Sequence, residues 1–445
     1  MQQANDTIAA IATPPGRGGV GVIRISGNRV PDLMPEILGK YLAPRKASLC
    51  KFLDGSGEAI DYGIALYFRA PHSYTGEDVL ELQGHGGMIV QKLLLERCLS
   101  LGVRLAQPGE FTRRAFLNDM IDLAQAESVA DLIDASTRSA ARSAVRSLQG
   151  DFSRRVQETV ASLVELRMLV EAGLDFPEED ISHASSDEAR KKTASIHDDI
   201  QSIIEAARQG VILRAGIQIA IAGKPNAGKS SLLNLLSGDE VAIVTEVPGT
   251  TRDAIRQSIE IGGIPAHIVD TAGLRESEDP VEKIGMDRAR KVIGQSDLIL
   301  YIADALSGLD AEDKEILSGL PDLPRLVVMN KIDLAGIEPH VDDRAGHHAV
   351  FMSAKQGKGL DLLRQELLAM LSWHSLGEDQ FIARERHVDA LRNAGLSVSR
   401  ALDSVAPEFM AEELRQAQHA LSSITGEFTP DDLLGEIFSR FCIGK

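Results

Sequence analysis

Eight consecutive residues, Gly223-Lys224-Pro225-Asn226-Ala227-Gly228-Lys229-Ser230, fit the spacing G-x-x-x-x-G-K-[ST]. A loop of this composition folds its backbone N–H groups around phosphates. Its lysine reaches the β/γ-phosphates, and its hydroxyl (Ser230, followed by Ser231) reaches Mg²⁺. Alone it implies only a nucleoside triphosphatase. Three further strings follow in order: Asp270-Thr271-Ala272-Gly273, Asn330-Lys331-Ile332-Asp333 and Ser353-Ala354-Lys355. Asp270 suits a carboxylate that meets Mg²⁺ through water, with the Gly273 N–H facing a γ-phosphate. The Asp333 carboxylate can accept from both the N1–H and the exocyclic amine of guanine. Adenine offers neither and would leave a desolvated carboxylate unpaired, which discriminates strongly. Ser353, Ala354 and Lys355 can present backbone N–H to guanine O6. Between the first two strings lies Thr245-Glu246-Val247-Pro248-Gly249-Thr250-Thr251-Arg252-Asp253, where Thr251 is the expected second Mg²⁺ ligand in a switch segment. Four strings in this order imply a GTPase.

One expected group is absent. Small GTPases follow Asp-x-x-Gly with a glutamine that orients the attacking water; here the residue is Leu274. Glu276, Glu278, Asp279 and Glu282 come next, and by composition alone a solvated loop accounts for them.

The elements that must position these groups can be read from apolar patterning. Residues 217–222 read as a buried strand and 230–236 as a helix, which puts the phosphates at a helix N-terminus. Apolar strands at 264–269, 326–329 and 349–352 precede the other three strings. Upstream, residues 1–118 alternate short apolar runs with Gly and Pro and read as a mixed α/β domain, with a helix over 88–99. Gly16 to Gly21 matches G-x-G-x-x-G, but that fingerprint must open a helix, whereas 20–26 reads as strand; a glycine-rich turn is expected instead. His85 reads as a lone histidine in a turn. From Asp119 onward the period becomes helical, with stripes such as Val156, Val160, Leu163, Leu166 and Val170. The stripe breaks near 175–181, a helix over 186–209 leads into residue 216, and helices resume after 377 with an N-cap at Thr429. The fold class expected is multi-domain, α/β plus all-α. It comprises an N-terminal α/β domain (1–118), a helical domain in two segments (119–212 and 377–445), and an inserted Ras-like P-loop domain (216–372).

The chain has 445 residues, 44% hydrophobic and 25% charged, as a globular multi-domain protein should. Three scattered cysteines argue against a disulfide framework or zinc site. No apolar run reaches membrane-spanning length, and the start lacks a signal peptide's basic run. A cytoplasmic location is expected. A net charge of −18 argues against broad nucleic-acid coating. Arg138, Arg142 and Arg146 nevertheless fall on one helix face; a solvated face or a tRNA contact would account for them.

The opening run Asp6-Thr7-Ile8-Ala9-Ala10-Ile11-Ala12-Thr13-Pro14-Pro15-Gly16-Arg17-Gly18-Gly19-Val20-Gly21, the nucleotide motifs and the terminal Phe441-Cys442-Ile443-Gly444-Lys445 together resemble the MnmE (TrmE) family over the full length. These are bacterial and organellar GTPases that modify the wobble uridine of certain tRNAs. The resemblance implies that Glu282 orients the hydrolytic water. It also implies a K⁺ ion, held by Asn226, Thr245, Val247 and Thr250, that replaces an arginine finger when two such domains meet. The N-terminal domain would resemble a tetrahydrofolate-binding domain and form a homodimer, with 5-formyl-tetrahydrofolate or a related one-carbon folate held at Arg24, Glu81, Met120 and Lys445. Met120 stands where a basic contact is expected, a departure that bears on how the folate tail is held rather than on the site itself. Cys442 could be a reactive thiol, a packing residue or neither. The family acts with a flavoprotein, MnmG (GidA), which would bring FAD and most tRNA contacts in a heterotetramer adding a carboxymethylaminomethyl or aminomethyl group at C5. The competing reading is an Era-like GTP switch in ribosome assembly. That class carries a KH-like RNA domain after its G domain, where this chain reads as helical.

Overall fold

The computed structural model describes residues 6–175, 182–239, 256–270, 293–343, 347–371, 373, 380–404, 406–427, 431–439, 441, 442 and 444. The chain gathers into two compact units. One holds Met1–Ala130, Leu148–Ser185 and Asp403–Lys445; the other holds Asp131–Ser147 and Ser186–Leu402.

In the first unit β1 (Ile8–Ile11), β2 (Gly18–Ser26), β3 (Ser48–Leu53), β4 (Ala59–Phe68), β5 (Val79–Gly86) and β6 (Arg104–Leu105) form one sheet in the order β3-β4-β5-β2-β1-β6. Side chains alternate across a strand. Ile23, Ile25, Leu80 and Leu82 therefore enter one core, beside Val30, Leu33 and Ile37 of helix Val30–Leu38 and Leu94 and Cys98 of helix Met88–Ser100. Arg24 takes the opposite face, in register with Ala10 on one side and Glu81 on the other. Gly18 lies within a strand, so the glycine run does not open a helix. His85 sits in β5 rather than in a turn, because Asp61 receives both its backbone N–H (2.7 Å) and its ring Nδ1 (2.7 Å). Helices Asp151–Asp175 and Pro407–Thr425 pack together in the same unit, with Arg167 Nη1 donating to Gln418 Oε1 at 2.8 Å. The break expected near 175–181 and the cap at Thr429 lie outside the described residues, apart from residue 175 at the helix end.

The second unit is built on β7 (Ile217–Gly223), β8 (Arg256–Ile261), β9 (Ile264–Asp270), β10 (Leu298–Asp304), β11 (Arg325–Asn330), β12 (His340–Asp342) and β13 (Ala349–Phe351), ordered β12-β13-β11-β10-β7-β9-β8. Only the edge strands β8 and β12 run antiparallel. Strands β7, β10 and β11 read as unbroken apolar runs because a parallel sheet is covered on both faces. One cover is the cluster of Ile219, Ile221, Leu300 and Val328; the other contains Ala220, Tyr301 and Val327. The chain leaves β7 for β9 on one side and later returns to β10 on the other. The C-terminal ends of β7 and β10 thus mark a topological switch point, where open α/β sheets bind ligands.

Two chain crossings join this sheet to its helices. In helix Ser182–Ala215, a Cβ on Gly210 would lie 2.4 Å from the backbone oxygen of Phe381. Glycine at mid-helix costs about 1 kcal/mol relative to alanine, and the close approach of residues 381–383 explains it. Gly210→Ala should therefore lower stability by roughly 1–3 kcal/mol, because overpacking outweighs the propensity gain. A urea-denaturation midpoint equal to or above the parent's would refute the close-packing argument.

Candidate guanine-nucleotide site

The loop after β7 needs glycine at two points. A Cβ on Gly223 (φ +140°) would meet the Ile302 backbone oxygen at 2.2 Å, and one on Gly228 (φ +103°) would meet Asn330 Nδ2 at 2.1 Å. Asn226 also adopts a left-handed φ of +62°. Helix Lys229–Asp239 starts where this loop closes, so its free N–H groups and dipole face the same space. The Lys229 ammonium donates to the Gly223 and Lys224 carbonyls at 2.7 and 2.8 Å, bracing the loop. Lys224 is drawn the other way, toward Asp310, Glu312 (3.3 Å) and Asp313 (3.1 Å). Asp313 in turn accepts the Tyr301 hydroxyl at 2.7 Å.

Asn330, buried at the end of β11, ties two loops together. Its Nδ2 donates to the Ala227 carbonyl at 2.8 Å, and its Oδ1 accepts the Ala354 N–H at 2.9 Å. Ser353 is fully buried; its hydroxyl donates to Asp333 Oδ1 at 2.6 Å and accepts Gln356 N–H at 3.2 Å. That leaves Asp333 fixed in orientation beside the cavity. Two of the three N–H groups expected to face guanine O6 are engaged, Ser353 by the Lys358 carbonyl (2.9 Å) and Ala354 by Asn330. Lys331, at φ +68°, pairs with Asp304 at 2.7 Å. Burial alone would raise the Asp304 carboxyl, yet the hydrogen bond from Lys331 holds it below the ordinary range. Motif spacing did not single out Asp304, Tyr301 or Lys224's acidic partners, since each meets its target only through the sheet.

These groups surround a cavity of about 510 Å³ lined by Asn226, Gly228, Lys229, Ser230 and Ser231 and by Asn330, Lys331, Asp333 and Lys355. A volume of this size suits a nucleotide. Lys229, Ser230 and Ser231, in the first turn of helix Lys229–Asp239, line this cavity, a donor set whose hydroxyls suit a phosphate-bound Mg²⁺. Asp270 ends β9, its backbone in register with Ile221 of β7. Thr245 to Thr251, Thr271, Ala272, Gly273 and Glu282 lie outside the described residues.

A second cluster lies in the first unit. Glu81 Oε1 accepts from Arg24 Nε and Nη2, each at 3.0 Å, and the Gly444 carbonyl accepts from Nη1 at 3.3 Å. The guanidinium lies 5.6 Å from the Tyr74 ring centre and 5.8 Å from that of Phe111. Gly444 (φ +103°) admits no side chain, since a Cβ would lie 2.4 Å from the Ile11 carbonyl. Arg24 and Glu81 are thus brought together with the chain's end. Met120 packs instead against the turn at Gly76, and Lys445 lies outside the described residues. Cys442 is exposed, which excludes a core-packing role for its thiol; its carbonyl accepts Gly109 N–H at 3.3 Å. By contrast, burial pushes the Cys98 thiol up to about 12. Behind Arg24, buried Arg114 bonds Asp6, Glu77 and Glu110, and Glu77 accepts the Ser26 hydroxyl at 2.7 Å. Tyr74, Phe111 and Arg114 carry no sequence motif. Arg138 and Arg142 are exposed on helix Arg138–Leu148, and Arg146 is half-buried.

A doubly wound sheet with this cavity at its switch point defines a guanine-nucleotide-binding P-loop protein. Residues 7–120 match the family described as GTP-binding protein TrmE N-terminus, and residues 123–442 match the MnmE helical domain. The tRNA modification GTPase MnmE of Nitrosomonas europaea is 56% identical over 451 residues, covering 99% of this chain and 100% of the relative. That of Dechloromonas aromatica is 57% identical over 447 residues, covering 99% and 100%. Among solved structures, Aquifex aeolicus Era bound to GDP and AlF4⁻ is 27% identical, covering 43% of this chain and 69% of that one. Its TM-score of 0.29 is too low to carry an argument. The chain belongs to the MnmE (TrmE) family of tRNA modification GTPases. Among the described residues no helix is long and apolar enough to cross a membrane, and no His/Cys/Asp/Glu cluster could hold a metal.

Removing the Asn330 side chain would orphan a carbonyl and an N–H, at roughly 1–3 kcal/mol each when buried. Asn330→Ala should weaken GDP binding about 10- to 100-fold in a fluorescent-nucleotide titration. A loss under about threefold would sink its role as the tie.

Proposed function

We propose that the chain hydrolyses GTP and that this turnover serves modification of the wobble uridine of tRNA at C5. The observation that carries the reading is the Asn330 tie, which joins the phosphate loop to the base-recognition loop around one cavity, in a chain alike over its whole length to tRNA modification GTPases. In this mechanism the loop N–H groups and Lys229 receive the phosphates after Lys229 exchanges its loop carbonyls for oxygen anions. Asp333, aimed by Ser353, accepts from the guanine edge. The Ser230 hydroxyl and Thr251 would hold Mg²⁺; Asn226, with Thr245, Val247 and Thr250, would hold K⁺. Bound there, the two cations supply positive charge for the β,γ-phosphates as bond cleavage builds negative charge. With Leu274 unable to orient water, Glu282 is the residue assigned to that task.

The N-terminal site is proposed for a one-carbon folate such as 5-formyl-tetrahydrofolate. The Arg24–Glu81 pair, with the Tyr74 and Phe111 rings close to the guanidinium, suits a flat heteroaromatic ring with N–H donors and an attached carboxylate. As the family resemblance implies, this domain is proposed to form a homodimer; Val20, Tyr62, Ile64, Met88 and Ile89 are among the large apolar side chains it leaves exposed. The net charge of −18 favours a partner that supplies the positive surface for tRNA, the role assigned to the flavoprotein MnmG with its FAD. A cytoplasmic setting follows from that substrate. The Era-type switch is set aside because the segment after the G domain falls within the match to the MnmE helical domain.

GTP turnover measured in K⁺ should exceed that in Na⁺ severalfold, and Glu282→Ala should slow it at unchanged GTP affinity. Equal rates in the two salts would remove the cation, and undiminished turnover in the variant would remove Glu282. Calorimetric titration with 5-formyl-tetrahydrofolate should give saturable heat that Arg24→Ala abolishes; no heat with the parent chain would end the folate assignment.

A further inference from the structure

Residues Asp131–Ser147 group with the unit that holds the nucleotide site, and they carry contacts that GTP chemistry does not use. The Asp131 carboxylate, 5% exposed, receives Arg214 Nε at 2.7 Å and Arg384 Nη2 at 2.8 Å. Arg214 lies in the last turn of helix Ser182–Ala215, which runs directly into β7. Arg384 immediately precedes helix Glu385–Asp403, where the chain leaves the G domain. One buried carboxylate thus holds both crossings of an inserted domain. Ser147 adds to the outgoing one, its hydroxyl accepting Ile382 N–H at 2.8 Å and donating to the Ile382 carbonyl at 3.1 Å.

Between these anchors sits Thr137. Its hydroxyl accepts the Ala140 N–H at 3.1 Å, capping helix Arg138–Leu148, and donates to the Gly263 carbonyl at 3.0 Å. A Cβ on Gly263 would lie 2.6 Å from the Ser139 hydroxyl, so the two segments also touch closely. Gly262 and Gly263 form the turn of the β8–β9 hairpin, whose strands pair continuously from Arg256↔Val269 to Ile261↔Ile264. At its other end the hairpin adjoins, in sequence, the switch threonines and the Asp270 motif. A paired ladder of this kind, about 20 Å long, moves as one body. A displacement at the nucleotide end would therefore reach the turn that Thr137 grips.

We propose that residues 131–147 couple nucleotide state to the two linkers. Thr137 receives the motion of the hairpin, and Asp131 makes the incoming and outgoing linkers respond together. Both are positioning residues, and the inference rests on the GTP-hydrolysis reading of the site.

Amide hydrogen exchange of the full-length chain tests it, comparing the GDP state with a non-hydrolysable GTP analogue. In the parent, protection of 137–147 and 380–384 should change with nucleotide. Thr137→Val should abolish that change while GTP KM and kcat stay within about twofold, and Thr137→Ser, which keeps the donor, should restore it. Asp131→Asn should keep the response at 137–147 and lose it at 380–384, which tests the coupling even if Thr137→Val fails to fold. Equal nucleotide-dependent exchange in parent and variants overturns the coupling, as does a parent that hydrolyses GTP without any change in 137–147. A parent without GTP turnover overturns the underlying reading, and the coupling with it.

Discussion

The buried carboxamide of Asn330 is the constraint on which the nucleotide site depends. An amide offers a donor and an acceptor in fixed opposition, and here each is spent on a different loop: Ala227 of the phosphate cradle and Ala354 of the base-recognition turn. Gly228 must lack a side chain for this approach to be possible. The spacing between the two halves of the cavity is therefore set by one rigid group held at the end of β11. Asp333, three residues after Asn330 and aimed by the Ser353 hydroxyl, inherits that spacing. Neither aspartate nor alanine at 330 could satisfy both a carbonyl and an N–H, so the motif's first letter is dictated by loop-to-loop geometry.

This explains which parts of the site could be read along the chain. Phosphate binding needs contiguous N–H groups, so Gly223 to Ser230 announces itself as a string, and its flanking strand and helix follow from apolar runs of the right length. Guanine recognition is almost as local. The supports are different. Lys224, after β7, finds Asp310 and Asp313 after the neighbouring β10, and Lys331, after β11, finds Asp304 at the end of β10. No spacing rule links residues that the sheet order alone makes neighbours. The same limit hid the engagement of two of the three N–H groups after β13, because the partners of Ser353 and Ala354, Lys358 and Asn330, depend on how the turn closes.

The N-terminal cluster was harder still. Arg24 and Glu81 are 57 residues apart and meet only because β2 and β5 pair in a register that sets them opposite each other. A slip of one residue in either strand would turn that strand's charged side chain into the core and part the pair. Tyr74, Phe111 and Gly444 arrive from a loop, a helix and the chain's end. Each would read by itself as ordinary packing. His85 shows the converse error: its glycine neighbours suggest a turn, yet Asp61 bonds its backbone and its ring and holds it in a strand.

The coupling proposed for residues 131–147 poses a mechanical problem that the two linkers meet with charge. Two crossings that move independently would let the G domain wobble about its linkers, and any change at the cavity would be lost before reaching the helices. Apolar packing could hold the crossings together, but it is tolerant of sliding. A buried carboxylate between two guanidinium groups is not, because moving either arginine away strips a charged hydrogen bond from a carboxylate that water barely reaches. Such a pair contributes little net stability compared with well-packed apolar residues of similar volume. What Asp131 adds with Arg214 and Arg384 is a single favoured arrangement of the linkers. Gly210, against which residues 381–383 lie, removes the side chain that would otherwise hold the two crossings apart.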